Sequence, residues 1–558
     1  MPATNSSDER GRDQPRRLDR RQLLKVGAAG GLLIGGTVAG SRWLGTQSGT
    51  AAPAVVGPGS AIVAATEASR RSTGRIVRRE LRAAPDRVDL GGRTVQAWAF
   101  DGTVPGPEIR VRPGDELRLR LSNGLPDPTT VHWHGLALRN DMDGVPGVTM
   151  DPVPGGASFE YAFIGPHSGT YWYHPHVGVQ LDKGLQGALI VEDPDERGAY
   201  DEDVVLLLDD WTDGLGEAPT EVLARLGAEG MDMGAMDMAG LPSDEQPLGS
   251  DTGEVSYPAH LVNGRLPESP QTVRTSPGQR VRFRVINAGS DTAYRFAIGG
   301  HRLSVTHSDG FGVWPVEVDT LILGMGERYD VVVTVGDGAF PIVASPEGKS
   351  DPGGFAVLRS GSGATPRPGT SPVELRGQLL TYADLRPTGE VALPARRLDR
   401  ELDMLLEMVD EGRRWYINGA AYEDTEPLLI RAGERVRVVM RNDTMMFHPM
   451  HVHGHTFALA DEAGPGARKD TVNVLPKQTL AVELEADNPG DWLVHCHNAY
   501  HGELGMMTRM SYPGLTNSSP GVPGDPCALG RSAATGADAG GLTSLRSNPG
   551  CSPSRFAS

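Results

Sequence analysis

Three stretches of this chain carry the same alternation of apolar and polar residues. They run from Ile109 to Asn123, from Val273 to Asn287 and from Ile430 to Asn442. In each, a glycine (Gly114, Gly278, Gly433) precedes the closing asparagine by nine residues, with apolar residues at alternate positions between them. A period of two predicts a strand with one buried face, and the glycine predicts the turn that feeds it. The copies lie 164 and 155 residues apart, so each unit is a whole β domain and not a solenoid repeat. The two ends of the chain follow other patterns. A basic, polar start leads through Arg20-Arg21 and Leu23-Leu24-Lys25 into a small-residue apolar run from Val26 to Ala39. That run is too short and glycine-rich for a membrane span of about 20 apolar residues, so residues 1–50 read as a signal peptide and linker, leaving no stable span after its removal. The arginine pair resembles a twin-arginine export signal, which places the mature chain in a periplasm, cell envelope or medium. Residues 513–558 are rich in Pro, Gly and Ser without an apolar period and read as a disordered tail.

Composition supports this picture and narrows the function. Among 558 residues are 73 Gly and 43 Pro, about a fifth of the chain, which favours turn-rich β structure over a helical bundle. A net charge of −18 excludes a nucleic-acid partner, which needs a basic surface. Three cysteines, Cys496, Cys527 and Cys551, are too few for a disulfide scaffold or a multi-cysteine metal site. Cys527 and Cys551 could pair in an oxidising compartment, although nothing fixes that pairing.

Ten of the fifteen histidines fall in four short clusters. Residues i and i+2 of a strand share a face. His132-Trp-His134, His174-Pro-His176, His451-Val-His453 and His495-Cys-His497 therefore each present two imidazoles side by side. The pairs are themselves repeated. The first and third units align on Gly135 and Gly454, and the segments after Gly169 and Gly490 reach their first histidine at the same spacing. The second unit has Ala297 and Gly299 where ligands would stand. Eight neutral imidazoles suit a cluster of borderline-soft transition metal ions, copper among them. Cys496 faces away from its neighbours, where it can join His448, His501 and Met506. Two histidines, a thiolate and a weak axial methionine make a blue-copper electron-transfer set. His167, His260, His301, His307 and His455 are left as turn or packing residues.

These residues resemble the three-domain multicopper oxidases of laccase and cuprous-oxidase type. The motifs are HWHG at 132–135, HPH at 174–176, HPMHVHG at 448–454 and HCHNAYHGELGM at 495–506. The resemblance implies an all-β chain of three consecutive cupredoxin-like Greek-key barrels: domain 1 at 75–198, domain 2 without copper ligands at 199–365, and domain 3 at 366–512. It implies four copper ions. The type 1 ligands would be His448, Cys496, His501 and Met506, and the type 2 ligands His132 and His451. The type 3 pair would take His134, His174, His176, His453, His495 and His497. Such an enzyme, a monomer, couples one-electron oxidation of a donor to four-electron reduction of O2 to water. Cys496 and its flanking histidines join the two sites.

Asp143 matches an acid that similar enzymes place near the cluster, in position to relay protons. A second family acid, just after the type 1 histidine, is replaced by Gly502, and Glu503 is the candidate substitute. The donor is a phenol or aromatic amine, or a metal ion, Cu(I) before Fe(II). Met231, Met233, Met236 and Met238, in a methionine-rich insert at 230–241, are soft donors suited to Cu(I). Asp443, Met445 and Met446 precede His448, and Met446 stands where cuprous oxidases bind substrate copper. Two alternatives remain: a copper-sequestering protein without turnover, and a relative of the copper nitrite reductases. The complete histidine set counts against both.

Overall fold

The computed structural model describes residues 56–196, 199–230, 241–461 and 464–514. The leader, Met231, Met233, Met236 and Met238, the Cys527–Cys551 pairing and residues 515–558 of the tail lie outside the described residues.

Each alternating segment becomes an interior strand: Glu116–Asn123, Arg280–Asn287 and Arg435–Asn442. Each pairs in parallel with the first strand of its own unit, Ile76–Asp89, Glu202–Trp211 and Arg400–Val409 respectively. The described strands form six sheets, two per unit, of four and four, six and five, and six and five strands. Within each pair the apolar faces meet. In the first unit Leu117, Leu119 and Leu121 pack in one core with Trp133, Tyr171 and Leu189 of the opposing sheet. Helices are few and short: Ala61–Ser69, Pro219–Glu229 and Ala499–Glu503. The first, capped by Ser60 Oγ, falls in a stretch to which the sequence pattern assigned no element. No described helix is long and apolar enough to cross a membrane.

One strand departs from the one-buried-face expectation. In Arg280–Asn287 the polar face is buried as well, with Arg282 and Arg284 each 2% exposed. The first unit covers that face. Arg284 donates to Asp203 Oδ1 at 2.7 Å and to Thr170 Oγ1 at 2.9 Å, and Arg282 pairs with Asp330. Alternation reports where polar groups are, and paired charges satisfy a buried face as well as water does.

Candidate metal centre

The four histidine pairs converge where the first and third units meet. His132–His134 is a strand, paired with Gly169–His174 so that His132 stands opposite His174. In the third unit His448–Val452 pairs with Asp491–Cys496, placing His451 opposite His495. His176, His453 and His497 lie just beyond their strand ends, so in three of the four pairs the shared face is kept by a turn and not by a continuing strand. The ring nitrogens of His134, His174 and His497 lie mutually within 4.8 Å, as do those of His176, His453 and His495, and those of His132, His134 and His451.

The hydrogen bonds behind the rings decide which nitrogen faces inward. Carbonyl and carboxylate oxygens only accept, so the ring nitrogen against one carries the proton and the other presents a lone pair. Nδ1 of His132, His174, His451 and His495 donates to the main-chain oxygens of Asp143, Pro175, Asp470 and Cys496, all at 2.9–3.0 Å. His453 Nδ1 donates to Asp143 Oδ2 at 2.9 Å, and His134 reverses the pattern, its Nε2 lying 3.2 Å from Asp470 Oδ1. On the inner side, His132 Nε2, His134 Nδ1, His174 Nε2, His176 Nε2, His451 Nε2 and His497 have no partner although buried. His453 Nε2 and His495 Nε2 face each other at 3.1 Å, two lone pairs in direct opposition. Burial and mutual proximity push His134, His174, His176, His453 and His497 well below the ordinary imidazole range, and His495 down to about 3. A buried set of neutral, unpartnered, convergent nitrogens is the donor chemistry of transition-metal ions.

The sulfur of Cys496 lies on the other side of its strand. His448 Nδ1 and His501 Nδ1 are 3.2 Å apart and stand 3.6 and 3.7 Å from Cys496 Sγ. The centre of that triangle is about 2.0 Å from all three atoms, close to the bond length of a transition metal to nitrogen. Met506 is fully buried beside it. Its backbone oxygen accepts from Cys496 N at 3.0 Å, and its N–H donates to His501 O at 2.9 Å.

Three models described as multicopper oxidase match the chain, at residues 83–196, 202–361 and 397–513. Multicopper oxidase MmcO of Mycobacterium tuberculosis is 43% identical over 502 residues, covering 89% of this chain and 97% of its own length. This chain belongs to the multicopper oxidase family. A copper resistance protein A homologue of Pseudomonas syringae is 30% identical, covering 76% of this chain and 90% of its own. Among solved structures, a multi-copper oxidase of Pseudomonas thermotolerans superposes with a TM-score of 0.62 at 29% identity, over 78% of this chain and 99% of its own. The laccase of Botrytis aclada gives 0.66 at 26% identity, over 80% and 89%. The multicopper oxidase is thus an all-β, cupredoxin-fold oxidoreductase that binds copper and uses O2 as acceptor.

In this multicopper oxidase Asp143 is fully buried behind the cluster, holding His132 and His453. Glu503 lines a cavity of about 40 Å³ with His176, His495 and Gly502. The residue is exposed at the surface, yet its surroundings desolvate the carboxyl and push it up to about 7. Met446 is buried and Met445 half-buried, with Asp251 bridged to Met446 through the backbone. Asp443 is engaged by Lys477 at 2.8 Å.

Four neighbours of the sites escaped the sequence. Glu254 stands 3.0 Å from His501 Nε2, and its carboxylate, working against burial, lifts that imidazole to about 10. Trp415 stacks on His501 with ring centroids 3.9 Å apart. Asp470 backs His134 and His451, and Arg328 backs Asp470. None has a spacing that ties it to a histidine motif. The nearest signal is Arg468-Lys469-Asp470, a charged run abutting an apolar strand, which reads equally well as a solvated turn.

Proposed function

We propose that the enzyme carries four copper ions and couples one-electron oxidation of a metal-ion or phenolic donor to reduction of O2 to water. The observation that carries the reading is the convergence of unpartnered imidazole nitrogens behind one face of the His495-Cys496-His497 tripeptide, with a His₂Cys triangle on the other. His448, Cys496, His501 and Met506 would hold the type 1 ion, and His132 and His451 the type 2 ion. His134, His174 and His497, with His176, His453 and His495, would hold the type 3 pair. Copper in these sites supplies the one-electron and oxygen chemistry. The domain limits are 75–198, 199–365 and 366–512, which no described strand crosses.

The chain's own residues set the rest. Cys496 and its neighbours connect the two donor sets by covalent bonds, supplemented by the His495 Nδ1 bond to Cys496 O. Glu254, at the outer nitrogen of His501, presents an anion where a donor would approach, favouring a cation or a donor that releases a proton. Asp251 beside it is pushed up to about 6 by burial and by Glu254. With Met445 and Met446, and with Met231, Met233, Met236 and Met238 of the insert, these groups favour Cu(I) first and Fe(II) second, with phenols and aromatic amines beside them. Asp143 orients the cluster histidines, while Glu503, at a cavity with room for water, delivers protons. Export by the 1–50 leader and a monomeric state complete the proposal.

Oxygen uptake with Cu(I), Fe(II) and a phenol, with and without residues 231–240, tests it. Deletion should lower Cu(I) oxidation severalfold and leave phenol oxidation unchanged. Equal rates make the segment a spacer, and no oxygen uptake with any donor sinks the enzyme reading. Glu503 is mostly protonated below about pH 7 and ionised above, so turnover should fall as pH rises through 7. Glu503→Gln should be slower and lose that limb of the profile; an unchanged profile removes Glu503 from the proton route.

A further inference from the structure

The middle domain supplies no ligand, yet it forms a wall of the cluster. Its turn at Gly326 has φ +86°, and a Cβ there would stand 2.9 Å from His497 Cδ2 and 3.0 Å from His134 Cε1. Only a glycine backbone fits against both rings without moving them. Two residues on, Arg328 is wholly buried and touches all three domains. Its two Nη atoms each donate at 2.7 Å to a separate carboxylate oxygen of Asp470 in domain 3. Its Nε donates to Thr170 O of domain 1 at 3.0 Å, and its Nη1 to Gly326 O at 3.1 Å. Asp470 in turn stands 3.2 Å from His134 Nε2 and accepts from His451 Nδ1 through its main-chain oxygen. Asp309, also of the middle domain, accepts from the backbone N–H of Asp470 and of Thr471, both at 3.2 Å. Among the described residues no hydrogen bond or ion pair joins Gly326, Arg328 or Asp470 to His448, Cys496 or His501.

We propose that Arg328 and Gly326 are positioning residues for the histidine cluster, so that its copper loading depends on the domain without ligands while loading of the Cys496 site does not. A planar guanidinium gripping both oxygens fixes the rotation of the Asp470 carboxylate, which with the Thr471 hydroxyl that donates to it faces His134 Nε2 and keeps the proton on that nitrogen. Partners that orient metal-binding imidazoles this way are worth roughly 10–100-fold in metal affinity. Lysine keeps the charge and loses the fork. Alanine at position 326 leaves Arg328 intact and displaces His134 and His497 directly. The inference rests on the copper assignments proposed above.

The test uses the full chain and the variants Arg328→Gln, Arg328→Lys and Gly326→Ala, titrated with copper. Copper per chain comes from elemental analysis, type 2 copper from electron paramagnetic resonance, and the Cys496 site from its visible thiolate–copper absorption. Arg328→Gln should bind cluster copper roughly 10–100-fold more weakly with its visible absorption intact. Arg328→Lys should fall between it and the parent, and Gly326→Ala should show the same selectivity. Should Arg328→Gln fail to fold, the other two variants decide. Parent-like cluster loading and resonance parameters in the folded variants overturn the inference. So does equal loss from both sites in step with a lower melting temperature of the metal-free protein, since that marks a merely structural role. If the parent itself takes up no cluster copper, the assignments beneath the inference fail instead.

Discussion

Two aspartates hold the histidine cluster from opposite sides with the same pattern of bonds. Asp143 of domain 1 accepts from His132 through its main-chain oxygen and from His453 of domain 3 through its carboxylate. Asp470 of domain 3 accepts from His451 through its main-chain oxygen, and its carboxylate meets His134 of domain 1. Each aspartate thus ties its own domain's first histidine to the other domain's second. Their surroundings differ. Asp470 is gripped by Arg328, with Lys469, Asp309 and Glu327 paired beside it, all fully buried. Burial alone would raise the Asp470 carboxyl, but Arg328 and the imidazoles hold it well below the usual range. Neutral amides brace the Asp143 side: Asn140 Nδ2 donates to Asp491 O at 2.6 Å, and Asn488 Nδ2 to Leu138 O at 2.8 Å. The ionic brace lies where the middle domain arrives, and the amide brace where domains 1 and 3 meet, with Arg70 of the preceding segment donating to Ala137 O and Asn488 Oδ1. Duplication preserved the ligand geometry and left each side to find its own support.

Breaking the ionic side should have the larger effect. Asp470→Asn leaves the buried Arg328 charge with only the more distant Asp309, 3.6 Å away, and we expect a loss of about 3–5 kcal/mol in denaturant unfolding of the metal-free protein. A loss under about 1 kcal/mol would show that the network relaxes freely and that the two sides are equivalent. Asp143→Asn removes a charged acceptor but strands no cation. It should cost about 1–3 kcal/mol, while still weakening copper at the cluster. Equal costs for the two substitutions would erase the asymmetry. Thr471→Val is the mildest probe. It deletes one hydroxyl that donates to Asp470 Oδ1 at 2.9 Å and lies 3.1 Å from His134 Nε2 and 3.2 Å from His451 Nδ1, and a cost near 1 kcal/mol is expected. A larger cost would mean that Thr471 shares with Arg328 the holding of the carboxylate and of the two imidazoles.

The grouping of these histidines with Cys496 was legible because its signal is local. A histidine repeated at i and i+2, and a cysteine with His501 five and Met506 ten residues on, bring atoms together through the geometry of one strand and its following turn. The three barrels were legible for a similar reason, from a period of two repeated at domain spacing. The supports were not. Arg328 sits in Gly326-Glu327-Arg328-Tyr329-Asp330, which reads as a polar turn, and its partner Asp470 is 142 residues away. Glu254 meets His501 across 247 residues, and Arg284 meets Thr170 across 114. Such pairs exist only once the domains have docked, so no periodicity anticipates them. Alternation also misplaced Arg282 and Arg284 in solvent, because it cannot tell a charge facing water from one facing a carboxylate.

The tripeptide His495-Cys496-His497 has a mechanical consequence. Cys496 lies opposite Met450, and His451 opposite His495, across a single antiparallel ladder. A slip of one residue in that ladder would carry the sulfur to the cluster side and the imidazoles to the other, destroying both sites in one step. Neither site can be retuned through this strand without retuning its twin. Changes that reach one site alone are therefore expected in the elements that touch only one of them, such as the segments bearing Trp415 and Glu254.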